Sequence, residues 1–138
     1  TLRGEDSHFV KDGKFSGALS ITNENQPGDF VQGASTPNSP DLTPEGPFTV
    51  EMWIQPEGFT PDVTIAFLLD KKKIPYPSED PVANRDYLLL LRRVGDQFAV
   101  EAQLGFGRDS ETISSAPLHF DEGQWYHVAF TYDGEGDC

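Results

Sequence analysis

Alternation with a period of two dominates the chain. From Phe48 to Gln55, Phe48, Val50, Met52 and Ile54 interleave with Thr49, Glu51, Trp53 and Gln55. Successive side chains of a strand point to opposite faces, so four apolar residues share one face and Trp53 falls on the other. Gly17 to Thr22 and Asp29 to Gly33 read as shorter strands, and Thr64 to Leu69 as a strand apolar on both faces. Glu111 to Ser115 is a weaker strand, and Trp125 to Tyr132 a strong, aromatic-rich one.

The sharpest local prediction is a hairpin. Tyr87 to Arg93 and Gln97 to Leu104 flank Gly95-Asp96, a pair suited to a two-residue primed turn. Centring that turn sets Arg93 opposite Phe98, Leu91 opposite Val100, Leu89 opposite Ala102 and Tyr87 opposite Leu104. The other face then carries Leu88 and Leu90 beside Gln103 and Glu101, a mixture that calls for a covering loop or a contact surface.

Two stretches break the pattern. Residues 34–47 hold Pro37, Pro40, Pro44 and Pro47 and read as a loop, because proline cannot donate to a ladder. Residues 71–86 form a long polar excursion with Pro75, Pro77 and Pro81. The 13 glycines and 11 prolines leave no segment of a dozen residues with a helical apolar stripe. Six to eight short antiparallel strands with Gly, Pro and Asp turns indicate an all-β antiparallel sandwich or jelly roll.

Composition narrows the function. At 138 residues one domain with a true core is expected, 36% of residues are hydrophobic, and no run approaches a membrane span. The net charge of -13 argues against nucleic acid or an anionic membrane as partner. Cys138 is the lone cysteine, so neither an internal disulfide nor a cysteine zinc site is available. No signal peptide is visible in this sequence.

Three segments resemble the laminin-G-like, concanavalin-A-like jelly-roll family. Gly13-Lys14-Phe15-Ser16-Gly17-Ala18-Leu19-Ser20-Ile21 is close to G-x-F-G-x-A-L-x-F. Phe48-Thr49-Val50-Glu51-Met52-Trp53-Ile54-Gln55-Pro56 is close to F-T-V-E-x-W-V-x-P. Gly123-Gln124-Trp125-Tyr126-His127-Val128-Ala129-Phe130-Thr131-Tyr132-Asp133-Gly134 is close to G-x-W-x-H-V-A-x-T-Y-D-G. The resemblance implies one β-sandwich domain over 1–138 whose last strands are missing. It also implies a non-catalytic recognition module that is extracellular, periplasmic or cell-envelope, bacterial, and directed at a glycan or a protein surface. The alternatives are a polysaccharide-active enzyme or its accessory domain, and a structural module that self-associates through an open sheet edge.

Relatives that hydrolyse β-glucans carry Glu-x-Asp-x-x-Glu on one strand, and this sequence has no such motif. Sugar-stacking candidates are Trp53, Tyr76, Tyr87, Trp125 and Tyr126, of which Trp53 and Trp125 are also expected to fill the sandwich or its ends as large apolar side chains. The resemblance implies a rim site for Ca²⁺, with Asp29, Asp62, Asp109 and Asp133 as candidate ligands among the loop aspartates. His8, His119 and His127 are too dispersed for a metal cluster, and a structural hydrogen bond is the expected role of His127.

Overall fold

The computed structural model describes residues 1–4, 7–22, 32–37, 39–44, 46–59, 63–71, 87–106 and 109–135. All regular structure among them is strand, apart from one 3-10 turn at Pro40–Leu42. The chain falls into two compact units, Thr1–Leu42 and Thr43–Cys138.

The first unit holds β1 (Leu2–Arg3), β2 (Ser7–Val10), β3 (Ala18–Ile21) and β4 (Gly33–Ala34). β2 pairs antiparallel with β3, and β1 with β4. Ser7 is buried, and its Oγ accepts a hydrogen bond from the Gly33 amide at 2.6 Å. Of the strand expected at Asp29–Gly33, residues 29–31 lie outside the described residues, and Gly33 opens β4, Gly33–Ala34. In the proline-rich stretch expected as a loop, 34–47, Ala34 belongs to β4 and Pro40–Leu42 form a 3-10 turn. Pro40 pre-sets the φ such a turn needs, and the Leu42 amide donates to the Ser39 carbonyl at 3.1 Å.

The second unit is a two-layer sandwich. One layer pairs β5 (Phe48–Ile54) with β10 (Tyr126–Tyr132), antiparallel from Phe48↔Tyr132 to Ile54↔Tyr126. The other runs β6-β7-β8-β9, from β6 (Ile65–Asp70) through β7 (Tyr87–Val94) and β8 (Gln97–Phe106) to β9 (Asp109–Ser114). β7 and β8 pair in the register that the Gly95-Asp96 turn predicts, with Leu89 on Ala102 and Leu91 on Val100. Gly95 takes φ 66°, the left-handed conformation that the tight turn demands.

Alternation builds the interior. Leu89, Ala102 and Val128 form one buried cluster, against which Val50, Met52, Ile54 and Phe130 pack from β5 and β10. Leu91, Phe98 and Phe120 form a second, joined by Ile54, Phe59 and Tyr126. Burying each such leucine or phenylalanine contributes about 1.5–3 kcal/mol. A bulge between Phe67 and Leu69 lets both Leu68 and Leu69 pack on the first cluster, which explains why this segment reads as apolar on both faces. Phe98 and Leu118 exchange backbone hydrogen bonds of 2.9 and 2.8 Å, and that bridge brings Phe120 onto the core.

On the far face of the four-stranded layer, Leu88, Leu90, Ala99 and Glu101 are all buried, so the mixed face of the hairpin is covered. The excursion expected at 71–86 is described only at Lys71.

Candidate functional site

The outer face of the β5–β10 layer carries the polar half of each strand. Along β5 and just beyond it lie Thr49, Glu51, Trp53 and Gln55; across from the first three, on β10, lie Thr131, Ala129 and His127. The pairing is Thr49↔Thr131, Glu51↔Ala129 and Trp53↔His127. An indole therefore sits at the middle of a row, with a carboxylate two residues before it and an amide two residues after it. Same-face neighbours along a strand stand about 7 Å apart.

The contacts fix this row. The Trp53 and His127 rings lie 5.1 Å apart between centroids and tilted by 39°. His127 Nε2 stands 3.2 Å from Glu51 Oε2. The Thr49 and Thr131 hydroxyls hydrogen-bond to each other at 3.0 Å. Gln55 Nε2 donates to the Gly123 carbonyl at 2.7 Å, and the Gly123 amide donates to the Pro56 carbonyl at 2.8 Å. The turn before β10 is thereby tied to the end of β5. Gly123 has φ 72°, which that return requires.

Trp53 is 40% exposed, whereas Met52 and Ile54 beside it pack inward. Glu51 is 66% exposed at its side chain and His127 41%. An exposed indole edged by a carboxylate and an imidazole can take a ring with apolar C–H faces and equatorial hydroxyls, the first by stacking and the second by hydrogen bonding.

The other sequence-stated candidates separate. Tyr87 belongs to the interior end of the sandwich: its ring lies 5.2 Å from Phe48 at a 44° tilt, on the side of β5 opposite Trp53. Burial pushes its hydroxyl above the usual phenol range. Tyr76, Asp29 and Asp62 lie outside the described residues. Asp109 opens β9, paired with Phe106. The Asp133 carboxylate accepts the Glu135 amide at 2.7 Å, which closes the turn after β10. Among the described residues no group of three or more His, Cys, Asp or Glu side chains gathers as metal ligands would.

Trp125 is half-buried, and Tyr126 packs on the second core cluster and edge-on to Phe120 at 4.8 Å. Glu51 and His127 are the members of the site that sequence reasoning did not single out. Alternation already set Glu51 on the face of Trp53. The arrival of His127 beside it needed the pairing of β5 with β10, which are far apart in the chain.

A second polar cluster lies on the far face of the four-stranded layer. Arg92 Nη2 donates to Glu101 Oε1 at 2.8 Å, its Nε donates to Oε2, and Gln103 Nε2 donates to Oε1 at 2.9 Å. Arg92 holds the buried Glu101 carboxyl below its usual range, outweighing burial, which pushes the other way. A carboxylate held ionised in this manner is unsuited to donating a proton.

Residues 27–137 match the family model described as the concanavalin A-like lectin/glucanases superfamily. No curated protein and no solved structure gives a match.

Proposed function

We propose, from the premise that the chain belongs to the concanavalin A-like lectin/glucanases superfamily, that it is a non-catalytic extracellular module that binds a glycan on the outer face of β5 and β10. Membership supports a carbohydrate- or protein-binding module in general terms. The choice of glycan rests on one observation: the indole of Trp53, 40% exposed, lies between Glu51 and Gln55 and against the His127 ring. A pyranose stacks its C–H face on such a ring, and its hydroxyls reach the flanking carboxylate and amide.

The non-catalytic part of the reading is supported by chemistry. Retaining and inverting hydrolysis both need two carboxyl groups about 5–10 Å apart, one able to donate a proton. The sequence has no Glu-x-Asp-x-x-Glu, and Glu101 is engaged by Arg92 and Gln103. Calcium dependence is part of the same proposal, resting on the loop aspartates that the family resemblance implies as ligands.

Titration calorimetry against a panel of soluble polysaccharides, with and without calcium, tests the reading. Trp53→Ala is expected to weaken binding about tenfold or more, with the fold unchanged by circular dichroism. Equal binding by wild type and Trp53→Ala, or no polysaccharide retained at all, would overturn it.

A further inference from the structure

We infer that the sugar recognised at Trp53 is an amino sugar carrying a protonated amine, with Glu51 as the partner of that charge. This rests on the glycan reading above and deepens it. Three observations carry it.

The first is the pairing of groups. A tryptophan face and a carboxylate on one strand face, about 7 Å apart, are the two elements that hold an organic cation: the ring quadrupole attracts it, and the carboxylate neutralises it. Glu51 and Trp53 are placed so by their positions on β5.

The second is the state of Glu51. One oxygen, Oε2, faces His127 Nε2 at 3.2 Å, and the side chain is 66% exposed. That exposure lets a ligand standing over the indole reach the carboxylate. The imidazole fixes the carboxylate beside Trp53, so less rotamer freedom is lost when a ligand binds.

The third is the distribution of charge. Among the described residues from Thr43 onward, the cationic side chains are Lys71, Arg92 and Arg93. All three belong to the other layer, on β7 or directly after β6. Arg92 grips Glu101, Arg93 donates to the Val63 carbonyl, and Lys71 donates to Thr43. The β5–β10 layer and its flanking turns carry Glu51, Glu57, Asp121, Glu122, Asp133 and Glu135 instead. Within a chain of net charge -13, this face repels uronate or sulfated chains and attracts a polyamine sugar.

The experiment compares fully deacetylated chitosan oligosaccharides with N-acetylated chitin oligosaccharides of equal length, and with oligogalacturonate, by calorimetry. Wild type is expected to prefer the deacetylated ligand, with the preference narrowing as salt rises. Glu51→Gln should lower its affinity about three- to fivefold and lower that for the acetylated ligand less, so that the preference between the two narrows. Equal binding of the two, or preference for the acetylated ligand or oligogalacturonate, overturns the inference. If Trp53→Ala still abolishes that binding, the glycan reading stands without it. If wild type binds neither these sugars nor any neutral polysaccharide, both fall together.

Discussion

Arg92 and Glu101 meet diagonally across β7 and β8, with Arg92 Nε donating to one carboxylate oxygen, Oε2, and Nη2 to the other, Oε1. The two ends of the pair differ in environment: the Glu101 side chain is 5% exposed and that of Arg92 42%. The carboxylate sits among Leu88, Leu90 and Ala99 on the covered face of the sheet, and its charge is stabilised mainly by Arg92, with Gln103 and Ser114 adding hydrogen bonds.

Arg92→Met should therefore strand a buried carboxylate. The expected loss is about 2–3 kcal/mol at pH 7, kept below the value for a fully buried pair because Arg92 is partly solvated. The pH dependence gives the sign. The native carboxyl lies below 4.5, so its contribution is present above that value and lost as the pH falls through the native pKa. Without Arg92, burial raises the carboxyl instead. Urea unfolding at a series of pH values should show the gap between wild type and Arg92→Met narrowing below pH 4.5. A gap that widens on acidification would contradict the account.

Gly95 isolates backbone strain. Its φ is 66°, and a methyl group added there meets nothing within 4 Å. Gly95→Ala should cost about 1–2 kcal/mol through conformation alone, and Gly95→Asn less, since asparagine tolerates the left-handed region. The urea midpoint should fall with an unchanged slope for both variants.

That hairpin also shows how much the sequence made legible. The Gly95-Asp96 turn sets the register, and alternation then decides which residues meet Val128 and Met52 in the interior. The same alternation put Trp53 outside. The β2–β3 hairpin was half visible: β3 was expected, but its partner Ser7–Val10 is only four residues long and opens with Ser-His. So short a strand carries little periodicity. At the candidate site, the placing of Trp53 came from local pattern, and the joining of His127 to Glu51 came from non-local pairing, which no local pattern encodes. The placing of Tyr87 likewise needed the pairing of strands. It is polar-tipped and follows a loop, but it lies on the face shared by Leu89 and Leu91, so its ring belongs with Phe48.

Leu89 and Trp53 should separate stability from binding. Leu89 is fully buried between the layers, and Leu89→Ala should cost about 2–5 kcal/mol, because the cavity collapses only in part. Trp53→Ala removes a larger side chain from a surface already 40% open and should cost less than Leu89→Ala. Urea denaturation and polysaccharide affinity measured on both variants check this. Leu89→Ala, where folded, keeps its affinity; Trp53→Ala, well folded, loses it.

Tyr87 supplies the converse case. Its hydroxyl is raised above 10.0 because burial disfavours the phenolate. The stabilisation that comes from keeping it neutral is fully present below pH 10.0 and is lost as the pH rises through the native pKa. Spectrophotometric titration should show a late-ionising phenol phase in wild type that Tyr87→Phe lacks. The ring of Tyr87→Phe still packs on Phe48, on the interior side of the β5–β10 layer, so its polysaccharide affinity should match wild type. A loss of affinity in Tyr87→Phe with the fold intact would move the binding surface from the outer face of β5 to the interior end of the sandwich.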